Sequence, residues 1–305
     1  MTSTPRPARR PRRSALVVAA AAVALFVGGC AGPPAASAPP PATSPPSAGS
    51  GDTATGPVTD GPPTPDGYFM LRPVGSFATL PDDAAAAAMV HRSSWEPRPQ
   101  NATANQTVAP PGTHLDGYAG MINGPAVFGR VTGNFTGTTD EIIQWAAAKW
   151  GLPDEVIRGE AVVESNWYQG LHSSTGAPVN HRGFGDFGNC GGSPPGAPYG
   201  PGGPSSFGIL QAKWCSLENP QATGTGGWPW TEQSTAYAVD TYAAVIRGCY
   251  EGWDTWLGDG YQAGDLYGCV GRWFAGDWHS PTGDGYAARV QDAVAAKPWL
   301  TWSSA

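Results

Sequence analysis

Residues 31–66 contain almost no side chain that a protein core could use. The stretch consists mainly of Ala, Pro, Ser, Gly and Thr, and Val58 is its one large aliphatic residue. Such a segment buries too little apolar surface to offset the entropy lost on ordering, so we expect a disordered, extended linker. The folded part must then come from residues 67–305, where all 13 Trp of the chain lie.

Residues 1–30 have the features of an export signal. Five Arg precede the uncharged apolar residues 15–27, a stretch too short to span a bilayer comfortably. Gly28 and Gly29 then precede Cys30, an order that resembles the lipobox of bacterial lipoproteins. The resemblance implies a lipid on Cys30 and an exported protein that is anchored to the cell membrane and faces the cell wall. The alternative is ordinary cleavage nearby with Cys30 incidental, and the Arg12-Arg13 pair leaves twin-arginine export open.

The charge balance excludes one class of partner. Without residues 1–29 the chain keeps 12 basic and 24 acidic residues. Nucleic-acid binding usually needs a basic surface, so we expect no nucleic-acid partner. The same balance argues against general electrostatic attraction to anionic polymers, so binding of such a polymer would have to come from a local cleft.

The remaining cysteines predict two disulfides. Cys190, Cys215, Cys249 and Cys269 form an even set in a chain expected to be exported. Three pairings are open, and we favour Cys190 with Cys215 and Cys249 with Cys269 because each closes a local loop. No CxxC pair and no ligand-like His spacing occurs, so we expect no metal and no cofactor.

From residue 138 onward the pattern predicts a mainly α-helical domain, residues 138–305. Thr138 and Glu141 have the spacing of a capping box, and Gly151 should end that first helix. A second helix is expected from about Pro153 to Ser165, and further helices at about residues 236–246, 265–274 and 285–296. The Gly/Pro-rich stretch of about residues 176–206 predicts a long loop, and no run indicates paired strands. Residues 67–137 form an irregular segment to which the sequence assigns no role.

The second predicted helix carries two carboxylates on its apolar side. At 100° per residue, Glu160 and Glu164 lie in the middle of an arc formed by Val156, Ile157, Ala161 and Val163. A buried carboxylate is costly unless it is paired or neutral. Apolar surroundings, the end of the helix dipole and the neighbouring Glu160 should all raise the pKa of Glu164. The alternatives are a carboxylate at the helix rim, or one paired with Arg158 or Arg182.

The motifs around Glu164 resemble those of a known family. Residues 161–167, Ala-Val-Val-Glu-Ser-Asn-Trp, resemble the Glu-Ser motif of the soluble lytic transglycosylases. Residues 150–158 resemble the family's sequence at the start of the helix that carries this motif. Residues 207–211, Phe-Gly-Ile-Leu-Gln, look like the family's Gly-Leu-Met-Gln segment. Residues 272–276 stand where the family has Ala-Tyr-Asn-Ala-Gly, and Tyr286 with Val290 resembles its closing helix. The resemblance covers residues 138–296 and implies a lysozyme-like fold.

The resemblance also implies a site. Glu164 would be the catalytic acid, and the substrate-binding residues would be Phe207, Gly208, Gln211, Trp273 and Tyr286. Trp273 and Phe274 replace the usual Tyr and Asn, so the hydrogen bonds of those residues do not carry over. Aromatic faces stack on sugars, which makes Trp167, Trp214, Trp273 and Trp278 candidate cleft walls, of which we expect a minority to touch ligand.

The resemblance implies cleavage of the β-1,4 bond between N-acetylmuramic acid and N-acetylglucosamine in peptidoglycan glycan strands. We expect a monomer that acts on these strands as a lytic transglycosylase. One alternative is a hydrolysing lysozyme of the same fold, in which Asp186 or Glu160 is the second carboxylate. Asp186 lies in about thirty residues that are extra relative to the family. Another alternative is a wall-binding lipoprotein without activity.

Overall fold

The computed structural model describes residues 58–113, 115, 120–170, 184–200, 202–217 and 227–304. The export signal, Cys30 and residues 31–57 of the expected linker lie outside the described residues. Residues 58–66 lie against the folded domain, where Thr59 exchanges backbone hydrogen bonds with Arg92 and Ser94. Among the described residues, no helix has the length and apolar character needed to cross a membrane.

The domain is mainly α-helical, as the sequence predicts. In chain order the helices of the described residues are α1 Asp83–Ala88, α2 Ala102–Asn105, α3 Gly124–Phe128, α4 Thr139–Trp150, α5 Asp154–Ser165, α6 Trp214–Leu217, α7 Trp230–Gln233, α8 Thr235–Tyr250, α9 Leu266–Ala275 and α10 Pro281–Ala296. Helix α4 packs against α5 and α8, α5 packs against α10, and α9 packs against both α8 and α10.

The capping signals act where the sequence places them. The Thr138 hydroxyl accepts from the Glu141 backbone, and the Glu141 carboxylate accepts from the Thr138 backbone, which starts α4. Gly151 ends it at φ 62°, in the left-handed region that favours glycine. Helix α5 begins directly after Pro153, and its last residue, Ser165, is followed by the cap residue Asn166, whose φ is 53°.

A small sheet corrects the prediction of no paired strands. Strands β1 Phe184–Gly185, β2 Ser206–Phe207 and β3 Ala212–Lys213 form an antiparallel sheet in that order. Each strand is two residues long, which is too short to produce an alternating pattern in the sequence. Strand β1 also lies inside the stretch of residues 176–206 that was predicted as continuous loop.

Residues 67–137 share the hydrophobic core with the predicted helices. Trp95, Val127, Phe128 and Val131 are buried in one cluster with the apolar faces of α4, α5 and α8. The Trp95 indole donates to the Trp302 carbonyl oxygen at 3.2 Å, so this segment also holds the C-terminal residues. A boundary at residue 138 therefore does not separate two cores.

The disulfide pairing is the one that the sequence favours. Cys190 is joined to Cys215, and Cys249 is joined to Cys269. The first bond links the Gly/Pro-rich insert to α6, and the second links α8 to α9. Cys249 and Cys269 are fully buried in the core.

Candidate active site

Helix α5 presents both of its inward-facing carboxylates to one place. Glu160 is fully buried and Glu164, one turn later, is half-buried. Arg158 does not neutralise either of them, because its guanidinium is buried between Asp140 at 2.8 Å and Asp154 at 2.6 Å. Arg182 lies outside the described residues. The helix face therefore carries two carboxylates, as predicted, and Arg158 is paired elsewhere.

Small residues bring α10 close to these carboxylates. A Cβ atom at Gly159 would lie 2.6 Å from Val294 Cγ2, so a larger residue there would displace Val294 or push α10 away from α5. A Cβ atom at Gly271 would lie 2.8 Å from the Gly283 carbonyl oxygen, which makes the same argument for α9 and α10. These two close approaches place Tyr286 of α10 between the helices.

Tyr286 contacts both carboxylates. Its hydroxyl oxygen lies 2.5 Å from Glu164 Oε1 and 3.1 Å from Glu160 Oε1. The ring is almost fully buried and stacks on Phe274, with centroids 4.5 Å apart and planes 3° from parallel. Arg289 lies over the same two rings, 5.3 Å from that of Tyr286 and 5.7 Å from that of Phe274. Tyr286 thus reaches Glu164 from inside the protein and has almost no surface of its own for a sugar.

The surroundings of Glu164 favour the neutral acid. Its pKa is raised to about 7: burial, the largest cause, and Asp186 raise it, and the Tyr286 hydrogen bond and Arg289 partly offset them. Desolvation of the charged form is thus the largest cause. Glu160, which the sequence predicts to raise the pKa of Glu164, is not among the groups that do so. Instead, burial raises the pKa of Glu160 itself well above its ordinary value, and Glu164 adds to this. A carboxylic acid that titrates near neutral pH can donate a proton and then take one back.

The Glu-Ser motif and the Gly-Ile-Leu-Gln segment meet in the structure. The buried Ser165 hydroxyl donates to the Ile209 carbonyl oxygen at 2.7 Å. Gly208 has φ 82°, and a Cβ atom there would collide with the Thr231 carbonyl oxygen, so this turn requires glycine. The contact ties the C-terminal end of α5, with Glu164, to the turn between β2 and β3.

The residues implied for substrate binding differ in exposure. Phe207 is fully buried and packs against Phe184, while Gly208 lies within the turn. Gln211 is half-buried and its amide donates to the Gly208 carbonyl oxygen at 2.8 Å. Trp273 is half-buried, donates to the Leu210 carbonyl oxygen at 3.1 Å and meets the Tyr242 ring edge-on. Phe207 and Gly208 thus support the turn between β2 and β3 from inside, whereas Gln211 and Trp273 have exposed surface that a ligand could contact.

An open recess of about 150 Å³ lies between the β3 end of the sheet and the C-terminal end of α9. It is lined by Gln211, Lys213, Ser216, Arg272, Trp273, Phe274, Ala275 and Gly276. Phe274 is exposed and stacks on the Tyr286 ring, so one wall of the recess packs against the residue that contacts Glu164. Of the other candidate cleft walls, Trp167 is fully buried, Trp214 is half-buried, and Trp278 lines a separate pocket with Asp265 and His279.

Asp186 is held as a carboxylate at the edge of the sheet. Its oxygens accept from the Ser206 hydroxyl at 2.6 Å and lie 3.1 Å from Lys213 Nζ. Burial acts to raise its pKa, but the Ser206 hydrogen bond and Lys213 outweigh this, so the pKa lies below its ordinary value. Asp186 has φ 52°, which fits the turn role of an Asp in a Gly-rich loop. It acts electrostatically on Glu164, as a second carboxylate in the site would.

Sequence reasoning missed three residues that shape this site. Tyr242, which the helical pattern assigns to the core, donates its hydroxyl hydrogen to Glu160. Ser206 and Lys213 hold Asp186, and their only sequence signal is their place on either side of residues 207–211. In the described part of the chain, no group of three His, Cys, Asp or Glu is arranged to hold a metal ion.

Comparison of the chain with protein-family models, with curated proteins and with solved structures gives no match. The resemblance to the soluble lytic transglycosylases therefore depends on the motifs and on the way in which the fold brings them together.

Proposed function

We propose that this chain is a lytic transglycosylase that cleaves peptidoglycan glycan strands with Glu164 as its acid and base. The observation that carries the proposal is the environment of Glu164. This carboxyl is half-buried at the end of α5, receives a hydrogen bond from Tyr286, and has a pKa raised to about 7 by burial. It lies beside a turn, tied to α5 by the Ser165–Ile209 hydrogen bond, whose sequence resembles the family's sugar-binding segment.

The proposed reaction needs one carboxyl group. Neutral Glu164 protonates the glycosidic oxygen, and the bond from that oxygen to C1 of N-acetylmuramic acid breaks. The acetamido group of the same sugar stabilises the positive carbon. Glu164, now a carboxylate, removes the proton of the 6-hydroxyl, whose oxygen bonds to C1 and closes a 1,6-anhydro ring. Glu164 ends the cycle protonated and no water is consumed, whereas ordinary glycosidases use two carboxylates.

A hydrolase of the same fold is the second candidate, and Asp186 favours it. This carboxylate is ionised and is held by Ser206 and Lys213, as a base that activates water would have to be. Glu160 is less suited to that task, because it is fully buried and has a strongly raised pKa. A wall-binding protein without activity is the third candidate, and turnover of glycan strands separates it from both enzymes.

The proposal includes an exported lipoprotein. With Cys30 lipidated, residues 31–57 would connect the membrane to the domain and let it reach the wall. The protein would act as a monomer on glycan strands without a cofactor.

Glu164→Gln tests the proposed function directly. The amide keeps the size of the side chain, but its N–H is not acidic enough to protonate the glycosidic oxygen. We therefore expect turnover of purified peptidoglycan to fall by at least about 100-fold. Glu155→Gln is the matched control, since Glu155 lies on the same helix and pairs with Lys297. The control should retain activity. Equal activity of Glu164→Gln and the native protein would refute the assignment.

A further inference from the structure

Glu160 is a buried ionisable group that the proposed reaction leaves unused. It is fully buried, and no Lys, Arg or His in the described part of the chain forms an ion pair with it. Its oxygens meet two hydroxyls: Tyr242 donates to Oε2, and Tyr286 lies 3.1 Å from Oε1. A carboxylate in such a place lacks the charge partner that would offset its desolvation.

The geometry limits where the protons can lie. Glu160 Oε1, Tyr286 Oη and Glu164 Oε1 form a chain with steps of 3.1 Å and 2.5 Å. A tyrosine hydroxyl carries one hydrogen, so Tyr286 can donate to only one of the two carboxyl groups. The other contact is a hydrogen bond only if that carboxyl supplies its own proton to Tyr286. With both contacts made as hydrogen bonds, at least one of the two carboxyl groups is protonated.

The two arrangements differ in where negative charge can lie. If Tyr286 donates to Glu160, the charge lies on a carboxylate with no exposed surface. If Tyr286 donates to Glu164, the charge lies on a half-buried group on which Arg289 also acts. The second arrangement has the lower desolvation cost, and it makes neutral Glu160 the donor to Tyr286.

We propose that Glu160 is a positioning residue, a neutral carboxylic acid that donates to Tyr286 and so directs the Tyr286 hydrogen at Glu164. This role in catalysis rests on the proposed function of Glu164, while the direction of the hydrogen bonds does not. Glu164 Oε1 is then always an acceptor, and its other oxygen is the one that gives and receives the reacting proton. When Glu164 is charged, the chain of two hydrogen bonds stabilises it.

Four other groups act on these carboxyls and enter the design of the test. Asp186 and Arg289 act on Glu164, Tyr242 donates to Glu160, and Tyr267 of α9 is coupled electrostatically to Glu160 and Tyr242. All four are left unchanged in the main variants, so a change in the titration of Glu164 reports on the chain of hydrogen bonds.

The test is a pH titration of Glu164 in the whole chain, in which the carbon-13 NMR signal of its carboxyl group reports the fraction that is ionised. Glu160→Gln is the conservative variant, because its amide can still donate to Tyr286 and accept from Tyr242. We expect its titration midpoint to equal that of the native protein. Glu160→Met removes the donor, weakens the hydrogen bond to Glu164, and should raise the midpoint by about half a pH unit. Tyr286→Phe should raise it by about one unit.

A double variant separates this role from a merely structural one. If Glu160 acts through Tyr286, Glu160→Met should shift the midpoint in the native background and not in the Tyr286→Phe background. Should Glu160→Met fail to fold, adding Tyr242→Phe removes the hydroxyl that it leaves unpaired. The same comparison is then made against Tyr242→Phe alone.

A lowered midpoint in Glu160→Gln would overturn the proposal, because it would mean that a negative charge had been removed. An unchanged midpoint in Glu160→Met, or an equal shift with and without the Tyr286 hydroxyl, would also overturn it. Because the carbon signal needs no substrate, these outcomes are independent of activity. If the proposed function itself is wrong, Glu164→Gln will instead retain full turnover of peptidoglycan.

Discussion

The Tyr286 hydroxyl oxygen lies 2.5 Å from Glu164 Oε1 and links the last long helix of the domain to the end of α5. The two residues are 122 positions apart in the chain. Their contact depends on glycines at the helix crossings, which let α10 approach both α5 and α9. The candidate acid is therefore positioned by the packing of three helices.

The pH dependence of cleavage follows from the raised pKa of Glu164. As the acid, Glu164 must be protonated, so kcat/KM on glycan strands should be highest below pH 7. It should fall about tenfold per pH unit above the pKa of about 7. A pH–rate profile of the purified protein checks this. If kcat/KM already falls above pH 4.5, the ordinary pKa of a glutamate, burial does not raise the pKa of Glu164.

The fold could be predicted from the sequence where the signals are local. The Thr138–Glu141 box and Gly151 bound α4, and the apolar arc of α5 places Glu160 and Glu164 on its inner side. Long-range contacts leave no such signal. Tyr242 is part of an ordinary apolar helix face, and only the packing of α8 shows that its hydroxyl meets Glu160.

Arg158 also forms a contact between helices that its sequence neighbourhood does not predict. Arg158 looks in sequence like a partner for Glu164, but the structure uses it to bind Asp140 and Asp154. Asp154 in turn accepts from the backbone of Tyr68 and Phe69, which lie in a segment without periodicity. Asp154 stands four residues before Arg158 on α5, a spacing that favours pairing on a helix. Asp140 lies on α4, and spacing along α5 does not reveal that contact.

A surface cluster should make stability depend on pH in a separate range. His279 lies 2.8 Å from both Asp284 and Asp265, one carboxylate on each ring nitrogen. The hydrogen bond to Asp284, followed by that to Asp265, raises the pKa of His279. Its folded-state pKa thus exceeds the unfolded value of about 6.5, so the stabilisation is complete below that pH. It is lost as pH rises through the folded-state pKa.

We therefore expect the midpoint temperature of thermal unfolding of the native protein to decline as pH rises through the raised pKa of His279. His279→Gln should remove this part of the decline, because the amide does not titrate. Thermal unfolding at a series of pH values checks it. Identical pH dependence in both proteins would show that the cluster does not contribute.

The disulfides should be complete in the native protein. Counting thiols in denatured, unreduced protein that lacks residues 1–30 should find none free among Cys190, Cys215, Cys249 and Cys269. Replacing Cys249 and Cys269 together by Ala should lower the unfolding free energy by about 2–5 kcal/mol, since the bond links two core helices. Four reactive thiols would refute both bonds.

Membrane attachment should depend on Cys30. We expect the native protein to fractionate with membranes and to begin at a lipidated Cys30, because small residues precede it as in a lipobox. Cys30→Ser should be released or mislocalised. Unchanged membrane association of that variant, or a mature N-terminus elsewhere, would contradict the lipoprotein proposal.

The chemistry of the product tests the central proposal most directly. Peptidoglycan is digested with the purified protein in heavy-oxygen water, and the soluble fragments are examined by mass spectrometry. Attack by the 6-hydroxyl predicts 1,6-anhydromuramoyl ends, one water lighter than hydrolysis products and free of label. Reducing ends that carry the heavy oxygen would contradict the transglycosylase proposal and assign the reaction to hydrolysis, with Asp186 as the second carboxylate.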